Sequence, residues 1–216
     1  MPSSITYPLT ETFMSVQSEG SQAGQPAFFI RFHGCNLDCK FGDGFVCDET
    51  LHSKPQYDKV TPLELLIMVR KACTHNVVIT GGEPSLNGSI GSLIRYLRHE
   101  GYHVAVETNG YKMERLLDAN LITYSPKIGH SAGARQIRYA EYQAMGHKDD
   151  IELKLLANAE NPVDTGRWDD YPLKFVQAIN YEHDVCIAAI RYVTDFVAAN
   201  PEWYMSFQTH KITGAR

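Results

Sequence analysis

Strand-like and helix-like segments alternate along this chain about six times with short connections, and that alternation narrows its possible folds more than any other feature. AFFIRF (27–32) is a β-rich run. TPLELLIMVRKAC (61–73) predicts a helix, with Thr61 as N-cap, Pro62 in the first turn and Glu64 as capping-box partner. VVIT (77–80) is a short buried-type strand, and SIGSLIRYLRHEG (89–101) a helix closing on Gly101. HVAVET (103–108) is a strand, MERLLDA (113–119) helical, and LITYS (121–125) and IELKLLAN (151–158) two more strands. LKFVQAIN (173–180) is a further strand, DVCIAAIRYVTDFVAAN (184–200) a long helix and WYMSFQTH (203–210) a last strand. Such alternation is the signature of a parallel α/β sheet. A closed eight-fold barrel of this kind takes ~250 residues. A chain of 216 residues, 44% of them hydrophobic, therefore predicts one α/β domain over residues 1–216, built as an incomplete, open barrel. Polar residues and glycines gather just after the strands, as HGC, GGEP, NG and SPK. In parallel α/β folds those positions share one rim, where ligands bind.

The formal charge of −5 gives no bias towards nucleic acid or a membrane surface. No apolar run approaches the ~20 residues of a membrane span, and MPSSITYPLTETF lacks the features of a signal peptide. The expectation is a cytoplasmic chain whose thiols stay reduced unless a metal or catalysis claims them. Cys73 and Cys186 read as small buried hydrophobes. Cys35, Cys39 and Cys47, spaced C-x3-C-x7-C in the Gly- and Asp-rich loop 33–50, do not, because that loop cannot bury three thiols. Zinc takes four protein ligands, or three and a water, and His33 and His52 are near but unusually spaced. An iron–sulfur cubane is the other candidate: three thiolates hold three irons and leave the fourth open. The spacing points to metal, and to iron–sulfur ahead of zinc.

A strand, then C-x3-C with Phe41 two residues after the second cysteine, then a strand ending in GGEP, resembles the radical S-adenosylmethionine enzymes. Their usual motif is C-x3-C-x2-C, so GDGFV (42–46) stands here as a five-residue insertion before Cys47. YPLTETFMSVQSEGSQAGQPAFFIRFHGC, VVITGGEP, VETNG, SPK, ELK, FVQAIN and WYMSFQTHKITGAR together resemble one family of that group, the 7-carboxy-7-deazaguanine synthases. The resemblance implies a 4Fe–4S cluster on Cys35, Cys39 and Cys47, S-adenosylmethionine on the open iron, and Mg²⁺. It also implies a radical carbon–nitrogen lyase that converts 6-carboxy-5,6,7,8-tetrahydropterin into 7-carboxy-7-deazaguanine with loss of ammonia. A homodimer and a reductant protein such as a flavodoxin are implied in the same way.

Site roles follow from the resemblance, position by position. Val16, Gln17, Ser18 and Glu19 match the pterin-binding segment, with Ser18 in place of a usual glycine. Arg31 matches a clamp on the substrate carboxylate, and Thr80, Gln208, His210 and Arg216 match further substrate contacts. Arg31 and Glu107 take the catalytic roles. Phe41, Val46, Asp48, Gly82, Thr108, Asn109, Ser125, Lys127, Gln177 and Asn180 match contacts to S-adenosylmethionine. Glu49 takes the register of the Mg²⁺-binding hydroxyl and Thr50 slips by one, and either could supply the oxygen. Without the resemblance, residues 17–19 read as an ordinary turn. Arg31, a costly charge in an apolar strand, reads as a carboxylate clamp ahead of a structural ion pair, and for the strand-end residues plain capping is the alternative that their shared rim disfavours. Two other functions fit the cysteines: a radical enzyme with another substrate, such as a glycyl-radical activase, and a metal-binding module without catalysis.

Overall fold

The computed structural model describes residues 5–41, 47, 56–146, 150–181 and 184–214. Among the described residues nine strands form one sheet: β1 (Tyr7–Val16), β2 (Pro26–Phe32), β3 (Asp58–Val60), β4 (Asn76–Gly81), β5 (His103–Thr108), β6 (Leu121–Tyr124), β7 (Asp150–Ala157), β8 (Lys174–Ala178) and β9 (Tyr204–Ser206). Their order is β3-β1-β2-β4-β5-β6-β7-β8-β9. From β2 to β9 every neighbouring pair is parallel, and β1 runs antiparallel to both β2 and β3. With β3 at one end of this order and β9 at the other, the sheet is not closed into a barrel.

Helices α1 (Pro62–Lys71), α2 (Ile90–His99), α3 (Tyr139–Ala144), α4 (Ile187–Ala199) and α5 (His210–Thr213) complete the fold. The start of α1 is as expected: Thr61 and Glu64 exchange capping-box hydrogen bonds, and Pro62 occupies the first turn, where a missing N–H costs nothing. Gly101 follows α2 at φ +90°. Leu65 and Val69 of α1 and Ile90, Leu93, Ile94 and Leu97 of α2 bury against Phe28, Ile30, Val77, Ile79, Val104 and Val106 on one sheet face.

The opposite face carries a layered pattern that places the site. Its lower layer is apolar: Phe13, Ala27, Phe29, Val78, Ala105 and Leu121 pack together. Side chains two residues on share a strand face, so Arg31, Thr80, Glu107 and Thr123 form the next layer towards the C-terminal rim. Register holds that layer level, since Glu11 pairs with Arg31, Arg31 with Thr80, Glu107 with Thr123, and Thr123 with Glu152.

Three expectations need correction, and one strand carries no expectation at all. YPLTETFMSV, to which the sequence reading assigns no element, is the full strand β1. MERLLDA makes only a single 3-10 turn over Met113–Arg115. There Lys112 N–H donates to Ser85 Oγ, and Arg115 Nη1 donates to the Ser85 and Leu86 carbonyls, tertiary bonds that take the place of helical ones. WYMSFQTH is a strand only over Tyr204–Ser206, and His210 begins α5. Cys73 is exposed at φ +52° beyond the end of α1 rather than buried.

Candidate active site

The polar layer is a connected network. Glu107 accepts hydrogen bonds from Thr80 Oγ1 at 2.9 Å and Gln17 Nε2 at 3.3 Å, and lies 3.7 Å from Lys154 Nζ. Lys154, 5% exposed, also donates to Glu19. Burial alone would lower the lysine pKa, but Glu107 and Glu19 outweigh it and hold the ammonium well above its ordinary range. One buried cation therefore ties together two carboxylates from distant parts of the chain. Buried charges persist when paired in this way.

The segment after β1 crosses this network. Ser18 and Glu19 N–H both donate to Gln17 Oε1, fixing its amide so that Nε2 faces Glu107. Gly20 N–H donates to Ser206 Oγ and Ser21 N–H to Glu152, which also accepts from Thr123 Oγ1 at 2.8 Å. Gly20 sits at φ +65°, and a Cβ there would stand 2.1 Å from Glu152 Oε1. Only glycine lets the segment pass so close. From the other end of the chain, His210 Nδ1 meets Ser18 Oγ at 2.9 Å. Gln208 Oε1 accepts from Asn180 Nδ2 at 3.0 Å, and Ser206 Oγ donates to Gln177 at 2.7 Å. Arg31 pairs with Glu11 at 3.0 Å and lies over the Phe13 ring.

The cysteines lie at the rim beyond β2. Gly82 packs against the start of their loop: a Cβ on it would meet the Gly34 carbonyl oxygen at 2.0 Å, and Glu83 N–H donates to that oxygen. The buried Glu83 carboxylate accepts from Ser85 N–H, Thr108 Oγ1 and Asn109 N–H, at 3.0, 2.8 and 2.7 Å. Burial pushes its pKa up against those three donors. Glu83 thus locks the end of β4 to the end of β5. Glu83→Ala leaves three buried donors without a partner, each costing about 1–3 kcal/mol. A loss of at least ~3 kcal/mol, or roughly 6–12 °C in a domain of this size, is expected. Thermal unfolding followed by circular dichroism checks it, and a shift under 2 °C would refute the brace.

Burial pushes the Cys35 thiol up, and Cys39 up to about 11, with Lys127 opposing the shift at Cys39. Each of the two is further raised by the charge of Cys47, which places all three thiols in one another's field. Yet among the described residues no three His, Cys, Asp or Glu side chains gather as a site for one ion. A cubane does not require such a single-ion site, because each thiolate binds a different iron. Two further observations fit a resident group. His130, 7% exposed and tilted at 49° against Phe41 at 4.6 Å between ring centroids, buries an Nδ1 with no hydrogen-bond partner. Lys127, bonded to Ser125 Oγ at 2.8 Å, is held down by burial and by Lys154, while Cys39, Cys47 and Glu19 pull it up. That one ammonium feels both the thiols and the polar layer, so the two halves of the site adjoin.

The structure thus brings Gln17, Ser18, Glu19, Thr80, Glu107, Gln177 and His210 into one network, pairs Asn180 with Gln208, and brings Gly82, Thr108, Asn109, Ser125 and Lys127 to the rim beside the cysteines. Val16 stands 45% exposed at the end of β1. Val46, Asp48, Glu49, Thr50 and Arg216 lie outside the described residues. Sequence reasoning did not single out Lys154, Glu152, Glu83 or His130. The first two had a visible signal, charges two apart on one face of the apolar run IELKLLA.

The sequence pattern of the radical SAM superfamily matches residues 29–138. The 7-carboxy-7-deazaguanine synthase of Bacteroides thetaiotaomicron is 34% identical over 209 residues, which cover 96% of this chain and 98% of the relative. That of Synechocystis sp. is 31% identical over 218 residues, covering 98% of this chain and 95% of the relative. The crystal structure of QueE from Escherichia coli aligns with a TM-score of 0.69 at 26% identity, over 95% of each chain.

Proposed function

The chain belongs to the 7-carboxy-7-deazaguanine synthases of the radical SAM superfamily, and from that premise we propose how its residues divide the work of that reaction. The enzyme contracts the ring of 6-carboxy-5,6,7,8-tetrahydropterin to 7-carboxy-7-deazaguanine, with loss of ammonia. The observation that carries this reading is the junction at Lys127, where the thiol rim meets the polar network of Gln17, Glu19, Thr80, Glu107 and Lys154.

Cys35, Cys39 and Cys47 hold the 4Fe–4S cluster. With S-adenosylmethionine bound, it supplies a hydrogen-abstracting radical. Everything else falls to the protein, which must bind, orient and exclude water. Gly82 lets backbone N–H and C=O groups approach the cofactor, and Lys127 and Ser125 present an ammonium and a hydroxyl to it. Glu19 and Gln17 offer an acceptor and an amide to the donor–acceptor edge of a pterin. Lys154 keeps Glu19 and Glu107 anchored, so that their oxygens act as fixed acceptors for substrate N–H groups. Arg31, steered by Glu11, reaches for the substrate carboxylate, a geometry guanidinium suits. His210 is held by Ser18 at the pocket wall.

Family resemblance supports the remaining parts. Mg²⁺, which prefers oxygen donors, is assigned to Glu49 or Thr50. The protein works as a homodimer of single-domain chains and draws electrons from a flavodoxin-type donor. A cytoplasmic location is part of the same proposal; separately, among the described residues no helix is long and apolar enough to cross a membrane.

Anaerobically reconstituted protein, given S-adenosylmethionine, reductant, Mg²⁺ and the carboxytetrahydropterin, should yield 7-carboxy-7-deazaguanine and deoxyadenosine by mass spectrometry. Cofactor cleavage with the pterin intact would shift the reading to an activase-type enzyme. A colourless zinc protein after reconstitution would defeat it altogether.

A further inference from the structure

Asn109 ends β5 in the segment ETN, and its matching role is a contact to S-adenosylmethionine. Its hydrogen bonds point elsewhere as well. The backbone N–H of Tyr111 donates to Asn109 Oδ1 at 3.0 Å. A backbone N–H is always a donor, so Oδ1 must face it and the amide cannot flip. That leaves Nδ2 with two N–H groups aimed at the cysteine loop. One donates to Asn36 Oδ1 at 3.0 Å, and the other to Cys35 Sγ at 3.9 Å. Leu37 N–H donates to the same sulfur at 3.4 Å. The Asn109 backbone N–H is meanwhile fixed by Glu83 at 2.7 Å, and its side chain is buried. Every hydrogen-bonding group of Asn109 named here is therefore committed, and the commitment turns its amide towards a cluster ligand.

We infer that Asn109 is a positioning residue for the cluster, an outer hydrogen-bond donor to the Cys35 thiolate that sets how readily the 4Fe–4S centre takes up an electron. Donors to cluster sulfurs raise the reduction potential, because they spread the negative charge that builds up on reduction. The step concerned is the transfer of one electron from an external low-potential donor to the oxidised cluster, with no bond made or broken. Asparagine suits the position better than aspartate. The Glu83 carboxylate already stands against the Asn109 backbone, and a second negative charge beside the thiolate would oppose reduction. The chain from Glu83 through Asn109 to Cys35 thus couples the GGEP turn to the electron-accepting centre.

The inference rests on the functional reading for the presence of the cubane, and its test separates the two. Reconstituted wild type, Asn109→Ala and Asn109→Asp are titrated with dithionite and mediators, without S-adenosylmethionine or pterin, and the reduced cluster is followed by electron paramagnetic resonance. Iron and sulfide contents are measured alongside. The midpoint potential should move to more negative values in both variants, further in Asn109→Asp than in Asn109→Ala, at unchanged iron content. If Asn109→Asp does not load iron, Asn109→Ser withdraws the amide without adding charge and should shift in the same direction. Unmoved midpoints, with only the affinity for S-adenosylmethionine lowered, would reduce Asn109 to a cofactor contact and overturn the inference. A wild-type preparation holding no cubane would overturn the functional reading itself.

Discussion

Cys47→Ala protein, reconstituted without oxygen, should emerge without a stable 4Fe–4S cluster and with activity at background, whereas Cys73→Ala should keep both. The contrast follows from where the thiols stand. Cys35, Cys39 and Cys47 lie in one another's electrostatic field at the rim, while Cys73 is exposed beyond the end of α1, its Sγ donating to the Lys71 carbonyl. A cubane held by three thiolates already has one open iron. Removing another ligand leaves a second iron to solvent and breaks the chelate that retains the cluster. Iron and sulfide analysis with the visible spectrum reads the result directly. A Cys47→Ala protein that retains four irons would show that the third ligand lies elsewhere and that the five-residue insertion had been misread.

The second large effect is expected at Lys154. Lys154→Met keeps the volume of the chain but leaves the part-buried Glu19 and Glu107 without the buried cation between them. Breaking a buried pair by removing one partner costs about 3–5 kcal/mol, or roughly 6–20 °C for a domain of this size. Catalysis should suffer more, because a small misplacement of binding groups costs about 10²-fold. The expected loss in kcat/KM is therefore ~10²-fold or greater. Lys154→Arg should not rescue it, since a planar fork does not replace a compact ammonium between two carboxylates. Adding Glu19→Gln to Lys154→Met should recover part of the stability and none of the activity. The pH dependence has a definite sign. The Lys154 pKa is raised on folding by Glu107 and Glu19, so its contribution is fully present below the unfolded lysine value of about 10.4. The contribution is lost as pH climbs through the raised folded value. Urea titrations of wild type and Lys154→Met should differ by a constant amount from pH 6 to 9, and the gap should close above about pH 10. A gap that widens there would mean the lysine is not the stabilising cation.

Much of the fold was legible because its signals are local. The capping box at Thr61 and Glu64 fixes the start of α1, and the apolar runs of β4, β5 and β6 announce buried parallel strands. β1 was hidden for a physical reason. Its register shifts between Leu9 and Glu11, so Tyr7 and Leu9 bury on the helix side while Phe13 buries on the other. A period of two that changes phase within ten residues looks like no period at all. The MERLLDA turn was misread because its helical propensity yields to bonds with Ser85 and Leu86, which no window of sequence contains. At the site, the motifs supplied residue names but not their relations. Glu107 was named while its lysine partner was not, since the pairing of Lys154 with Glu19 crosses 135 residues. Arg31 shows the same limit, its Glu11 neighbour becoming visible only once β1 is known to be a strand.

The segment from Gln17 to Ser21 has a consequence for biosynthesis. It is synthesised early, yet the hydrogen bond between Ser18 and His210 joins positions 192 residues apart. The strands β1, β2 and β4 to β6 can pair while translation continues, but the pocket stays unassembled until β7, β9 and α5 have left the ribosome. Pairing of the strands that carry the thiol rim and closure of the polar network are thereby separable in time. A nascent chain stalled after β6 would present its cluster loop well before it could hold a substrate.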